Sequence, residues 1–282
     1  MNNIRIITDS ASDFCGPYPE NLTVLPLTIH FGDEEYQDNV TISHRAFFEK
    51  LESCSDLPTT SLISPGAFED AFDQAAEAGE TVIAITLSSK LSGTYQSAVL
   101  AAEGRNNVYV IDSLNATIGL QILVQYALRL TGQNRRAEEI VEELQRVKSH
   151  IHLMGLPATL EYLRRGGRIS KAIAVVGEAL AIRPVLALSD GEIIMVGKAR
   201  GSKNGNNYLI KEVEKSNGIN FSMPFCLGYT GLSDELLQRY IEDSRQLWEG
   251  KTDHLPISTV GATIGTHVGP GAIVLAYFDN FI

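Results

Sequence analysis

The chain has 282 residues, 44% of them hydrophobic and 20% charged, with only 10 prolines. That composition supports an ordered globular protein with room for two compact domains and excludes a disordered or collagen-like chain. A formal net charge of −11 repels phosphate backbones and anionic membrane surfaces, so neither nucleic acid nor a bilayer is expected as a partner.

The N-terminus, Met1-Asn2-Asn3-Ile4-Arg5, lacks the charged start and apolar run of a signal peptide. Apolar stretches such as Thr81 to Leu87 and Ala172 to Val176 are too short to cross a bilayer. A cytoplasmic protein is expected. Cys15, Cys54 and Cys226 are far apart and show no CxxC spacing, which argues against a disulfide framework and a zinc site.

In chain order, Ile4 to Thr8 is a β-rich run ending in the polar loop Asp9-Ser10-Ala11-Ser12-Asp13, and Val24 to Phe31 is a second apolar run. Pro65 to Ala78 predicts a helix, with proline in its first turn and Gly79 after its end. Thr81 to Thr86 is apolar and β-branched, as for a strand buried on both faces, and Val108 to Ile111 stops at Asp112-Ser113. Ala137, Ile140, Val141, Leu144 and Val147 share one helical face. This alternation predicts a mostly parallel sheet covered on both sides, with ligands beyond the carboxyl ends of its strands. From about Ile151 the pattern changes. Asp190-Gly191 between two apolar runs signals a hairpin. A helix from Ser233 to Trp248 separates the runs Pro224 to Tyr229 and Ile257 to Val260, and Ala272 to Phe278 follows. The expected organisation is an α/β domain over 1–150 and an α+β domain with a mixed sheet over 151–282.

Four segments carry candidate chemistry. Leu91-Ser92-Gly93-Thr94-Tyr95 opens a helix after a buried strand. It presents free N–H groups and hydroxyls to an anion, or is an ordinary capped start. Thr59-Thr60-Ser61 precedes Ser64-Pro65 and reads as a hydroxyl-rich turn with Ser64 as the helix cap. In Glu161 to Ser170, Gly166-Gly167 stops a helix and Ser170 starts the next, leaving Arg168 on the turn between them. It can fork onto a phosphate or carboxylate, or cap a solvated helix end. With Arg164 and Arg165 it forms the basic cluster, which suits a single phosphate better than a duplex. His267 falls in the glycine-rich loop Gly265 to Gly271. It can handle a proton or be a turn residue, with no neighbour at metal-ligand spacing. Asp9 and Asp13 can chelate a cation or cap their loop. Walker, GxSxG and HExxH motifs are absent from the sequence.

Together these pieces resemble the DegV family in the expected order along almost the whole chain. They are Thr8-Asp9-Ser10 with Asp13, Pro26-Leu27 to Tyr36 and Asp38, Thr60-Ser61 with Ser64-Pro65, and Leu91 to Tyr95. Asp112-Ser113, Leu160 to Ser170, Arg183 to Leu186 before Asp190-Gly191, and Thr266 to Gly271 follow. The resemblance implies an N-terminal three-layer α/β/α domain plus a C-terminal α+β domain. It implies a long-chain fatty acid as bound ligand, no other cofactor and no metal. A separate ATP-using fatty acid kinase subunit would phosphorylate the acyl carboxylate. By motif matching, Thr60 or Ser61 and Ser92, with Gly93 and Thr94, hold the carboxylate, while Arg168 and His267 stand at the mouth and support phosphotransfer. Ile63 replaces a proline common in the family, and Thr117 a serine. The alternatives are a lipid sensor or scaffold without phosphotransfer, and a stand-alone serine esterase using His267.

Overall fold

The computed structural model describes residues 3–170 and 182–280. The predicted helix from Ser170 and the apolar stretch Ala172 to Val176 lie in or reach into the segment outside the described residues. The fold is α/β. A four-stranded parallel sheet has the order β2 (Leu22–Leu25), β1 (Ile4–Asp9), β6 (Thr81–Thr86), β7 (Val108–Asp112). Strands β1 and β6 are buried along nearly their whole length, which explains why they read as unbroken apolar runs. The predicted helices appear as α2 (Pro65–Glu77) and α5 (Ala137–Val147).

The run Val24 to Phe31 is not one strand. Pro26 removes a backbone N–H, and the chain leaves β2 to begin β3 (Thr28–Phe31) in a different, antiparallel sheet of order β4 (Glu34–Gln37), β3, β5 (Thr59–Ser61). The hydroxyl run Thr59-Thr60-Ser61 is therefore a short edge strand, not a turn. Between β4 and β5 lies α1 (His44–Ser53).

A mixed sheet has the order β10 (Glu192–Arg200), β9 (Ile182–Ser189), β8 (Ile151–Leu156), β13 (Ile273–Phe278), β11 (Phe225–Tyr229), β12 (Ile257–Thr259). The β9–β10 hairpin turns at Asp190 and Gly191, both at positive φ, the pairing a tight two-residue turn requires. The helix expected over Ser233 to Trp248 breaks at Ser244 into α8 (Glu235–Asp243) and α9 (Arg245–Trp248), after α7 (Ser202–Lys215). The Ser244 hydroxyl donates to the Tyr240 carbonyl and accepts the Trp248 indole N–H, a local competition that bends helices.

Between the parallel and mixed sheets runs α4 (Thr117–Thr131), every residue of which from Thr117 to Val124 is buried. Its side chains join one core with β1, β6, β8 and β13. Helix α3 (Thr94–Ala101) follows β6, α6 (Glu161–Arg165) follows β8, and α10 (Ala262–Val268) leads into β13. His267 thus sits on a helix, correcting the loop expected from its glycines. One side of α10 packs on α1 so closely that a Cβ on Gly265 would lie 2.8 Å from rings of both Phe47 and Phe48. In an exposed helix, alanine for glycine stabilises by about 1 kcal/mol. At Gly265 the buried rings leave no room, so Gly265→Ala is expected to destabilise by about 1–3 kcal/mol in chemical denaturation.

Candidate functional site

A cavity of about 410 Å³ lies beyond the carboxyl ends of the parallel strands, where such sheets place ligands. Its body is apolar, with walls from Leu153 to Leu156 on β8, Leu186 to Leu188 on β9, and Ile273 and Val274 on β13. Polar groups gather where β5, the loop before α3, the turn after α6 and α10 meet. Thr60, Ser61, Ser92, Gly93, Arg168 and His267 all line the space. Thr94 does not. It is fully buried, and its hydroxyl lies 3.0 Å from that of Ser92, so it steadies Ser92 and is not part of the wall.

Strand alternation sends Thr60 and Ser61 to opposite faces of β5. Thr60 Oγ1 is 2.9 Å from His267 Nε2, whereas Ser61 Oγ is 2.7 Å from His30 Nε2 on the outer face. Ser92 Oγ accepts the Thr94 N–H at 3.2 Å, so it is tied to the helix start, whose N-cap is Gly93, while also lining the cavity. Gly93 has an ordinary φ of −74, and what it supplies is room. A Cβ there would lie 2.9 Å from Cδ2 of Leu62, a half-exposed side chain at the rim.

Arg168 is placed by the end of α6. The Arg168 N–H donates to the Leu163 carbonyl and the Gly167 N–H to the Arg164 carbonyl, with Gly167 at φ +69. That is a Schellman stop, which fixes the direction of the residue that follows it. The guanidinium then bridges two carbonyls, Nε to Leu91 at 3.1 Å and Nη1 to Gly166 at 2.6 Å. It thereby both caps α6 and reaches the α3 loop. Arg164 and Arg165 instead pair with Glu161 on α6, so Arg168 alone brings a permanent charge to the wall among the described residues.

His267 stands in the last turn of α10, where the helix dipole favours an imidazolium. Desolvation outweighs that effect, and burial with Arg168 nearby pushes the imidazole down to about 4. The ring is neutral at physiological pH, and its buried Nδ1 has no hydrogen-bond partner among the described residues. The carboxylate that would complete a hydrolytic triad on His267 is therefore missing from these residues. Backbone packs against that nitrogen, and a Cβ on Gly166 would lie 2.3 Å from it.

Thr117, which stands where the resembled family has serine, also lines the cavity, as do Thr263 and Thr230, which no sequence motif marks. Thr117 holds φ +48, a costly conformation for a β-branched residue, and its hydroxyl donates to Asp13. Asp9 and Asp13 are fully buried, and their oxygens take protein donors. Asp9 accepts the Ala11 and Leu87 N–H groups, and Asp13 accepts the Thr117 hydroxyl and the Gly261 N–H. Burial raises both carboxyl groups, Asp9 to about 7.

Two outcomes follow from this geometry. Gly166→Ala is expected to fold, since its φ of −69 suits any residue, yet to displace the His267 ring, seen as moved imidazole resonances in NMR. In the unchanged protein, those resonances should not titrate between pH 8 and 5. Because the unfolded imidazole takes up its proton near 6.5 and the folded one near 4, this group's contribution to stability should fall as the pH drops through that window.

The family described as "Uncharacterised protein, DegV family" matches residues 3–280. A DegV domain-containing protein of Caldanaerobacter subterraneus is 35% identical over 280 residues, covering 96% of this chain and 97% of that one. A DegV family protein of Thermus thermophilus, whose structure is described as fatty acid binding, superposes with a TM-score of 0.86 at 31% identity, covering 98% and 99% of the two chains. The Fatty Acid Kinase (Fak) B3 protein of Streptococcus pneumoniae, loaded with linoleic acid, gives 0.86 at 26% identity over 99% and 100%. With the family match running through nearly every described residue, this chain belongs to the DegV family.

Proposed function

We propose that this protein binds a long-chain fatty acid in the cavity and presents its carboxylate for phosphorylation by a separate ATP-dependent kinase. The observation that carries the reading is the distribution of polarity. A cavity of about 410 Å³ is within the usual range for small-molecule sites. It is apolar along the strands of the mixed sheet and polar at one end, where the one permanent charge among the described residues is a guanidinium. That pattern fits an amphiphile with an anionic head and a long hydrocarbon tail. The acids bound by the Thermus and Streptococcus relatives have this chemistry.

In this reading Thr60, Ser92 and the backbone at Gly93 receive the carboxylate, and Ser61 borders the rim. A carboxylate oxygen attacks the γ-phosphorus of ATP held by the kinase. The new P–O bond forms as the bond to the β-phosphate oxygen breaks, giving an acyl phosphate and ADP. Arg168 balances the negative charge that develops. A neutral His267 can donate one hydrogen bond without demanding a counter-charge. In this reading the α/β part, 1–150, and the α+β part, 151–282, both serve one site, which is supported by cavity-lining residues from each range.

Mass spectrometry of lipid released by denaturing the purified protein should show a long-chain fatty acid. Its absence, together with no binding of added stearic acid, would sink the reading. Ser92→Ala should weaken stearic acid binding by about 1.5–3 kcal/mol, the worth of one hydrogen bond to a charged group. Arg168→Ala and His267→Ala should keep the lipid but lose most acyl phosphate formation with a bacterial fatty acid kinase, since their interactions strengthen in the transition state. Wild-type transfer in both variants would remove these roles. A wild-type protein that holds lipid but is never phosphorylated would favour a sensor.

A further inference from the structure

The first turn of α10 is held by side chains from far away in the chain. Gly261 N–H donates to Asp13 Oδ1 at 2.8 Å, Ala262 N–H to Asp38 Oδ1 at 3.2 Å, and Thr263 N–H to Asp38 Oδ2 at 3.0 Å. Both aspartates are buried. Gly261 is small for this reason, since a Cβ there would lie 2.5 Å from His44 Nε2 and 3.0 Å from Asp13 Oδ1. Asp38 directly follows β4, and Thr60 sits on β5 of the same three-stranded sheet. That sheet therefore grips α10 at both ends, through Asp38 at the first turn and through Thr60 on His267 in the last. A helix of this length is a stiff rod of roughly 10 Å, so its seat at one end sets the position of the ring at the other.

We propose that Asp38 is a positioning residue of the cavity, seating α10 so that His267 meets Thr60. The role needs a carboxylate. Both Asp38 oxygens accept backbone N–H groups, which cannot reverse. An amide would turn one acceptor into a donor facing a donor. Asp13 differs, because its Oδ2 faces the Thr117 hydroxyl, which can turn to accept. An amide, or a proton, is tolerated at Asp13 with no hydrogen bond lost. Asp9, Asp13, His44 and Cys15 surround Asp38 or its partners.

The inference rests on the role given to His267 above, and the test separates the two. ¹⁵N-labelled His267 is observed by NMR in Asp38→Asn and Asp13→Asn, and phosphorylation of bound stearic acid is followed in Asp38→Asn, His267→Ala and the double variant. Asp38→Asn should move the imidazole signals, and Asp13→Asn should leave them in place. A misplacement of about 1 Å can cost roughly a hundredfold in rate, so transfer in Asp38→Asn should slow by about tenfold or more. That loss should vanish when His267 is already alanine, because the two residues act through one another. Unmoved His267 signals in folded Asp38→Asn, equal movement in both aspartate variants, or additive losses in the double variant would overturn the proposal. Asp38→Glu, which shifts both acceptors by one methylene, is used if Asp38→Asn does not fold, and an unmoved ring there overturns it equally. If His267→Ala transfers normally while Asp38→Asn still moves the ring, the functional reading fails and the positioning role stands.

Discussion

Helix α4 is buried on every face over its first two turns, and a helix of that kind is stable only with protein on all sides. One side is covered by the parallel sheet and the other by β8, β11 and β13 of the mixed sheet. Gly119 leaves no room for a side chain, since a Cβ there would lie 2.2 Å from Asn115 Oδ1 and 3.3 Å from Cβ of Leu153 on β8. Everything else at the site inherits that constraint. With the two sheets fixed about α4, the space left beyond its N-terminus, at Ala116 and Thr117, is the floor of the cavity.

The polar end of the cavity is assembled from groups already anchored elsewhere. Arg168 is aimed by a helix stop and two carbonyls, Ser92 by Thr94, and His267 by its helix and by Thr60. Such pre-ordering lowers the entropy lost on binding and keeps charge where an anion would meet it. The hairpin tip takes part as well, since Ser88 Oγ donates to the Gly191 carbonyl at 2.8 Å. The loop after β6 is thus braced by the mixed sheet.

Burying three aspartates in one region is costly unless each has donors or a proton. Here backbone N–H groups at a turn, at a strand end and at a helix start supply most of them. The residual repulsion and desolvation appear as raised carboxyl groups at Asp9 and Asp13. The same contacts tie the N-terminal loop to the segment just before the last strand. The acids therefore hold together parts of the chain about 250 residues apart in sequence and lie directly behind the cavity wall at Thr117.

Local chemistry along the chain was enough to determine several features. The β-branched runs of β1, β6 and β7, the proline-started α2, the Asp190-Gly191 hairpin and the Gly166-Gly167 stop all depend on neighbours within a few residues, so their signals survive in sequence. The motif residues Thr60, Ser61, Ser92, Gly93, Arg168 and His267 were also legible, and they converge on one cavity. Only the tertiary structure decided what each one faces. Thr60 and Ser61 part company because their segment is a strand, which depends on pairing with β3. Thr94 withdraws behind Ser92 because the helix start is buried. His267 rides on a helix whose β-branched, glycine-flanked sequence is a poor helix former. Its first turn forms against Asp13 and Asp38, donors and acceptors brought together from opposite ends of the chain, and no local pattern can encode a contact of that range.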